Sequence, residues 1–283
     1  MKAFDDAAKT PWLAGDRVRL YNPTLAVLSL LVPTLAAIPL VLGDPERLWP
    51  VAMLLLLVAV GGLVALGRRA TRGVRLNNGA VALMTRGEDL GAASTFRAVA
   101  RGWFGRDVVG MSLHNLGVLA LRSLDVTSAV ALQRAAVAAG RGFRFRWQPS
   151  LPTDLARAQL AFALGAAGTD EDLREADAVL AAGKDATGAQ PIAFAVRARA
   201  LVAARRGKHE EVVAILDEER ALLRNLLPLN DAVLCEAMES WALGKLGGVY
   251  RGASRAQHPV LADDAARAYV KRVLPEAETV LVG

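Results

Sequence analysis

Two uncharged runs, Thr24–Leu42 and Leu48–Gly67, stand in this chain with only Gly43-Asp44-Pro45-Glu46-Arg47 between them. Each approaches the roughly 20 apolar residues that an α-helix needs to cross a hydrocarbon core of about 30 Å. Inside lipid a helix satisfies its own backbone donors and acceptors. The runs therefore predict a transmembrane hairpin over residues 23–67, with helices at about 24–42 and 48–67. Pro33 and Pro39 would bend the first helix, which packing against the second tolerates. No ionisable residue lies in either run, which argues against a pump or channel built from this chain alone. Gly61-Gly62, Ala52, Ala59 and Ala65 would let helices approach closely, within the hairpin or in a homo-oligomer.

The flanks give the expected topology, because positive residues near span ends stay in the cytoplasm. Arg68, Arg69, Arg72 and Arg75 follow the second run, and Arg17 and Arg19 precede the first. The connecting loop holds one arginine against two acids. Both termini are thus expected in the cytoplasm and the Gly43–Arg47 turn outside, with Tyr21 and Trp49 near the interfaces as aromatic anchors. A cleaved signal peptide is the competing reading of the first run, but Asp5, Asp6 and Asp16 precede it and a second span follows at once.

Four regions follow: residues 1–22 as a cytoplasmic segment with little fixed structure, the hairpin, a basic juxtamembrane linker at 68–75, and a helical domain over 76–283. The last is long enough for one continuous core. A single cysteine, Cys235, excludes an internal disulfide. Of the 283 residues 53% are hydrophobic, and the net charge is +6. With arginines crowded beside a span, an acidic membrane accounts for that charge more simply than nucleic acid does.

From Leu76 onward Ala, Leu, Val and Arg recur without strand-like alternation, which predicts an all-α domain. Breaks are expected at Gly87, Gly102–Gly105, Asp125, Gly140–Pro152, Gly168-Thr169, Gly183–Gln190, Gly207 and Gly247–Gly252. The clearest unit is Asn115-Leu116-Gly117, Ala120, Leu124-Asp125, Ala129, Leu132 and Ala136, and a second is Ala200, Ala203, Gly207–Glu211, Val212 and Leu216. Looser units surround Gly87 and Gly168. This pattern resembles the tetratricopeptide repeat, in which small residues lie where two antiparallel helices cross. The turns at Gly87, Leu124, Gly168 and Gly207 are 37, 44 and 39 residues apart, against a family period of about 34. The resemblance implies an α-solenoid of helix pairs whose first helices line a groove for a peptide or partner helix. Its phase puts Asn77, His114, Arg122, Arg197 and Arg205 near that groove. Val81, Val118 and Leu201 stand where the family's carboxylate-gripping residues would be, so that specificity does not carry over. Asp263–Leu274 is expected as a closing helix.

Catalytic signals fail on inspection. His209-Glu210 begins like a zinc-protease HExxH motif, but Val213 stands where the second ligand is required. One cysteine and three separated histidines make no metal set, and no phosphate loop or nucleophile elbow is present. Asp170-Glu171-Asp172 suits a helix start, and Asp217-Glu218-Glu219 suits a solvated face. The Arg141–Trp147 tract alternates arginine with aromatics. It suits an inter-repeat linker, an anionic bilayer surface or single-stranded nucleic acid, in that order. Neither an enzyme nor a cofactor is expected. The sequence points to a membrane-anchored, non-catalytic scaffold for protein partners, or alternatively to an accessory subunit of a membrane enzyme or transport assembly.

Overall fold

The structure is a computed structural model that describes residues 2–18, 20–21, 29, 32, 34, 45–102, 104–140, 153–184, 186, 188–248, 250 and 256–283. Among these the chain is mostly helical, with twelve α-helices, one 3-10 helix and four two-residue strands. Two compact units divide it, one from the described residues of Met1–Leu116 and Ala135–Leu151, the other from those of Gly117–Arg134 and Pro152–Gly283.

In the first unit, helix α1 (Lys2–Ala8) leads into a turn where Thr10 Oγ1 donates to the Ala7 carbonyl at 2.7 Å. Leu13 is fully buried, and Arg97 Nε donates to the Trp12 carbonyl at 2.8 Å. The expectation of little fixed structure before Asn22 is thus corrected: Leu13 finds a core and Arg97 satisfies backbone that would otherwise need water. Strand β1 (Leu20–Tyr21) pairs in parallel with β2 (Phe104–Gly105), Leu20 opposite Phe104.

Helix α2 runs from Pro45 to Thr85 without interruption, 41 residues or about 62 Å at 1.5 Å per residue. Residues 68–75, expected as a linker, lie inside it. Nothing in Arg68–Arg75 breaks a helix, since arginine and alanine are good formers and no proline intervenes. Gly73 is required where it stands. A Cβ there would come within 2.7 Å of Phe104 Cδ1 and 3.1 Å of Val108 Cγ1. Helix α3 (Asp89–Arg101) folds back along α2 and buries Ala92, Phe96, Val99 and Ala100 at helical spacing. Helix α4 (Arg106–Arg122) adds Ser112 and Asn115, whose side chains donate to Asn77 Oδ1 at 3.1 and 3.4 Å. Arg106 donates to the carbonyls of Ala138 and Ala139, near the end of α5 (Val126–Gly140), where a cation satisfies unpaired carbonyls and the helix dipole.

In the second unit, α6 (Thr153–Ala167) and α7 (Asp170–Ala182) form a pair, as do α8 (Ala189–Arg205) and α9 (His209–Glu218). The packing repeats: α7 touches α6 and α8, α9 touches α8 and α11 (Leu229–Lys245), and the first helices α6 and α8 touch each other. Gly165 marks that last contact, where a Cβ would lie 3.2 Å from Leu201 Cδ2. Thr169 caps α7 by accepting from the Asp172 amide at 3.1 Å, so the acid triad does begin a helix. The region after Gly207 is more broken than expected, with a short α10 (Arg220–Leu226) before Pro228. Helix α12 (Asp264–Val273), capped by Asp263, occupies the place expected for a closing helix. A 3-10 turn (Pro275–Val280) then brings β4 (Leu281–Val282) beside β3 (Val260–Leu261).

Left-handed backbone recurs at each place the spacing marked. Gly87, Leu124, Gly168 and Gly207 all adopt left-handed backbone, with φ of 79°, 61°, 76° and 69°. At Gly87, Leu124 and Gly207 the following amide reaches back to a carbonyl five residues earlier, at 2.8–3.0 Å, closing the preceding helix.

Candidate functional site

The most unusual surface belongs to α2. Among the described residues it is the one helix long and apolar enough to cross a membrane; its most apolar window has a mean hydropathy of 1.8 and is 6% buried. Leu54, Leu57, Val58, Val60 and Val64 are half or more exposed, and Trp49, at 58% exposure, stands near the start. Contiguous exposed apolar surface of this kind marks a site that lipid or another protein covers. The expected first span falls almost wholly outside the described residues, although Ser29, Val32 and Thr34 within it are helical.

The apolar strip ends at Gly67, and arginines begin on the next turn. Arg68, Arg69 and Arg72 border a cleft of about 550 Å³ whose other walls are Ala65, Leu76, Ala98, Gly102 and Phe104. Arg69 Nη2 donates to the Gly102 carbonyl at 2.9 Å, and its guanidinium stands 5.8 Å from the centre of the Phe104 ring. Glycine is needed at 102 as at 73, since a Cβ would meet Phe104 Cε2 at 2.5 Å. Among the described residues Arg68, Arg72 and Arg75 make no ion pair. Arg75 is exposed on the same helix but does not line the cleft. Sequence reasoning named the arginines and missed Phe104, whose part depends on two glycines far apart in the chain.

The five residues assigned to a partner groove fare differently. Arg122 is exposed. Asn77 is buried in the Ser112–Asn115 hydrogen-bond cluster, and His114 is buried as well. Arg205 is partly buried and donates to the Val273 carbonyl at 2.6 Å, with Glu276 3.5 Å away. Arg197 is 1% exposed. It pairs with Asp231, donates to Gln159 Oε1 at 2.8 Å and stacks on Phe162, 3.7 Å from the ring centre, with Phe194 at 4.7 Å. Tyr269 donates to the same Asp231 at 2.7 Å. Thus Arg197 joins α6, α8, α11 and α12 and faces no groove. The C-terminal segment covers that position, since Tyr269 of α12 reaches Asp231 beside it. Arg272 extends the same cover by donating to the Leu124 carbonyl at 3.2 Å.

Burial pushes the Tyr269 hydroxyl well above its ordinary range, helped by the Asp231 charge, and burial raises the Cys235 thiol despite Arg197 nearby. Both stay protonated near neutrality, so Tyr269 remains a donor and Cys235 is no nucleophile. The supposed solvated acids also differ. Asp217 is half-buried and, with the buried Glu239, holds Arg220 beside a small pocket of about 30 Å³. Among the described residues no group of three or more His, Cys, Asp or Glu side chains is arranged to hold a metal. The Arg141–Trp147 tract lies outside the described residues.

The described residues define a mostly helical protein with one long helix whose bare apolar half gives way to an arginine cleft. No family model, curated protein or solved structure matches the chain.

Proposed function

We propose that this is a membrane-anchored helical-repeat protein that works without catalysis, holding protein partners at the cytoplasmic face. One observation carries the reading: α2 continues unbroken from its bare apolar half into the helix pair with α3, so whatever immerses the first half also holds that pair in place. Tethering would raise the local concentration of any bound partner. Residues 24–42 would form the other arm of the hairpin. The β1–β2 pairing favours this, because it fixes Leu20–Tyr21 beside Phe104, which packs on Gly73. The chain would then enter and leave the membrane at one place. The recurrent left-handed turns and the repeated packing of α6–α9 and α11 support the tetratricopeptide-like reading.

A second reading has its own support. The C-terminal segment already covers the face around Arg197 and Arg205 where a partner peptide would sit. That favours an accessory subunit of a membrane assembly, with the essential contacts made by the hairpin. Replacing residues 23–67 by an unrelated two-helix hairpin separates the two. Partners captured in the native membrane by crosslinking should persist if the protein is a scaffold and vanish, despite correct insertion, if it is an accessory subunit. Protease protection of sealed vesicles tests the topology: both ends of the chain should be cut from the cytoplasmic side. Release of the protein by alkaline washing would refute both readings.

A further inference from the structure

The arginine cleft has a defined depth. From Trp49 to Arg68 the helix rises about 28 Å, close to the roughly 30 Å of a hydrocarbon core. With α2 across a bilayer and Trp49 at one interface, the cleft therefore lies at the headgroup level of the opposite leaflet. Its walls divide by chemistry. Arg68, Arg69 and Arg72 supply cations without an acid among the lining residues, while Ala65, Leu76, Ala98 and Phe104 supply an apolar floor that continues the bare strip of α2. Arg69 is already positioned by the Gly102 carbonyl and the Phe104 ring. Arg68 and Arg72, one turn apart on one side of the helix, are exposed and make no ion pair among the described residues.

We propose that this cleft binds one anionic phospholipid, its phosphate held by Arg68 and Arg72 with Arg69 behind them, and its glycerol and upper acyl segment against Phe104 and Leu76. The inference rests on the membrane anchorage proposed above. A guanidinium fork matches phosphate oxygens better than an ammonium does, and a phosphodiester whose headgroup carries no cation of its own would gain most from three of them. Arg75 lies outside the lining and serves as an internal comparison. An adjoining depression formed by Gly15, Asp16, Arg17, Ala98, Arg101 and Gly102 is less suited, because Asp16 lies 3.4 Å from Arg101 and offsets its charge.

The test uses the full chain purified in a neutral detergent, with lipid retention read by native mass spectrometry. Phosphatidylglycerol and phosphatidylcholine of identical acyl chains are the probes, and inorganic phosphate is the competitor. The wild type should retain phosphatidylglycerol in preference to phosphatidylcholine. The Arg68→Gln/Arg72→Gln variant should weaken that retention about tenfold or more, and Arg75→Gln should change it less than about twofold. Circular dichroism and alkaline extraction check that the variants fold and insert. Equal retention of the two lipids would overturn the proposal, as would an unchanged double variant or an Arg75→Gln loss as large as the double. Displacement of the lipid by excess inorganic phosphate would show a free-anion site instead and also overturn it. If the wild type leaves the membrane in alkali, the anchorage itself fails; if it stays and the lipid arm fails, this inference alone falls.

Discussion

At the residue scale the chain uses arginine in two opposite ways. Arg68 and Arg72 keep their charges in the open, whereas Arg197 is sealed among Phe162, Phe194, Gln159 and Asp231. A buried pair is costly to break because the remaining charge is stranded. Arg197→Ala should therefore lower stability by about 3–5 kcal/mol, and the Arg197→Leu/Asp231→Leu double variant should recover a large part of that loss, both read from thermal unfolding in detergent. Tyr269 adds a pH dependence with a definite sign. Its folded pKa is raised by burial and then by Asp231, so its contribution is complete below the ordinary tyrosine value of about 10 and is lost as pH rises beyond it. The wild-type melting temperature should fall more steeply above that point than that of Tyr269→Phe. Cys235, held protonated by burial, should resist N-ethylmaleimide in the folded protein and react once it unfolds. None of this was legible locally. Repeat phase made Arg197 a surface cation, because its partners Asp231 and Tyr269 come from α11 and α12 and only folding brings them to it.

At the scale of the element, turns were the most legible feature. Gly87, Gly168 and Gly207 announce left-handed backbone by composition, and Leu124 was found only through its spacing. The four sites allow a controlled comparison. A Cβ at Gly207 would meet nothing within 4 Å, so Gly207→Ala isolates the conformational cost. It should destabilise by about 1 kcal/mol, while Leu124→Gly, which relieves the same cost, should be neutral or stabilise by up to about 1 kcal/mol. For a domain of this size that corresponds to opposite shifts of roughly 2–4 °C in melting temperature. Helix α2 taught the reverse lesson. Four arginines in eight residues suggested a linker, yet a helix ends where its backbone bonds end, and nothing in Arg68–Arg75 interrupts them.

For the whole molecule, the exposed strip belongs to the one helix among the described residues that is long and apolar enough to cross a membrane, and the proposed anchorage can be tested on it. Leu57→Arg with Val60→Arg places two charges near the middle of the apolar stretch, at about 2.5–3.5 kcal/mol each on insertion scales. The fraction resisting alkaline extraction should fall sharply. The same change at Leu261, exposed in the second unit, should leave it unaltered.

The amino-acid sequence alone determined the all-α character, the apolar α2 segment with its arginine boundary, and the four turn positions. Those properties depend on neighbours within a few residues: hydrophobic period, charge and the steric freedom of glycine. Tertiary structure alone decided that Leu13 orders the N-terminal segment, that Phe104 seats between Gly73 and Gly102, and that the C-terminal helix covers Arg197 and Arg205. Burial and ion pairing join groups from separate elements, and a linear pattern carries no measure of which distant side chain will arrive to fill or cover a given place.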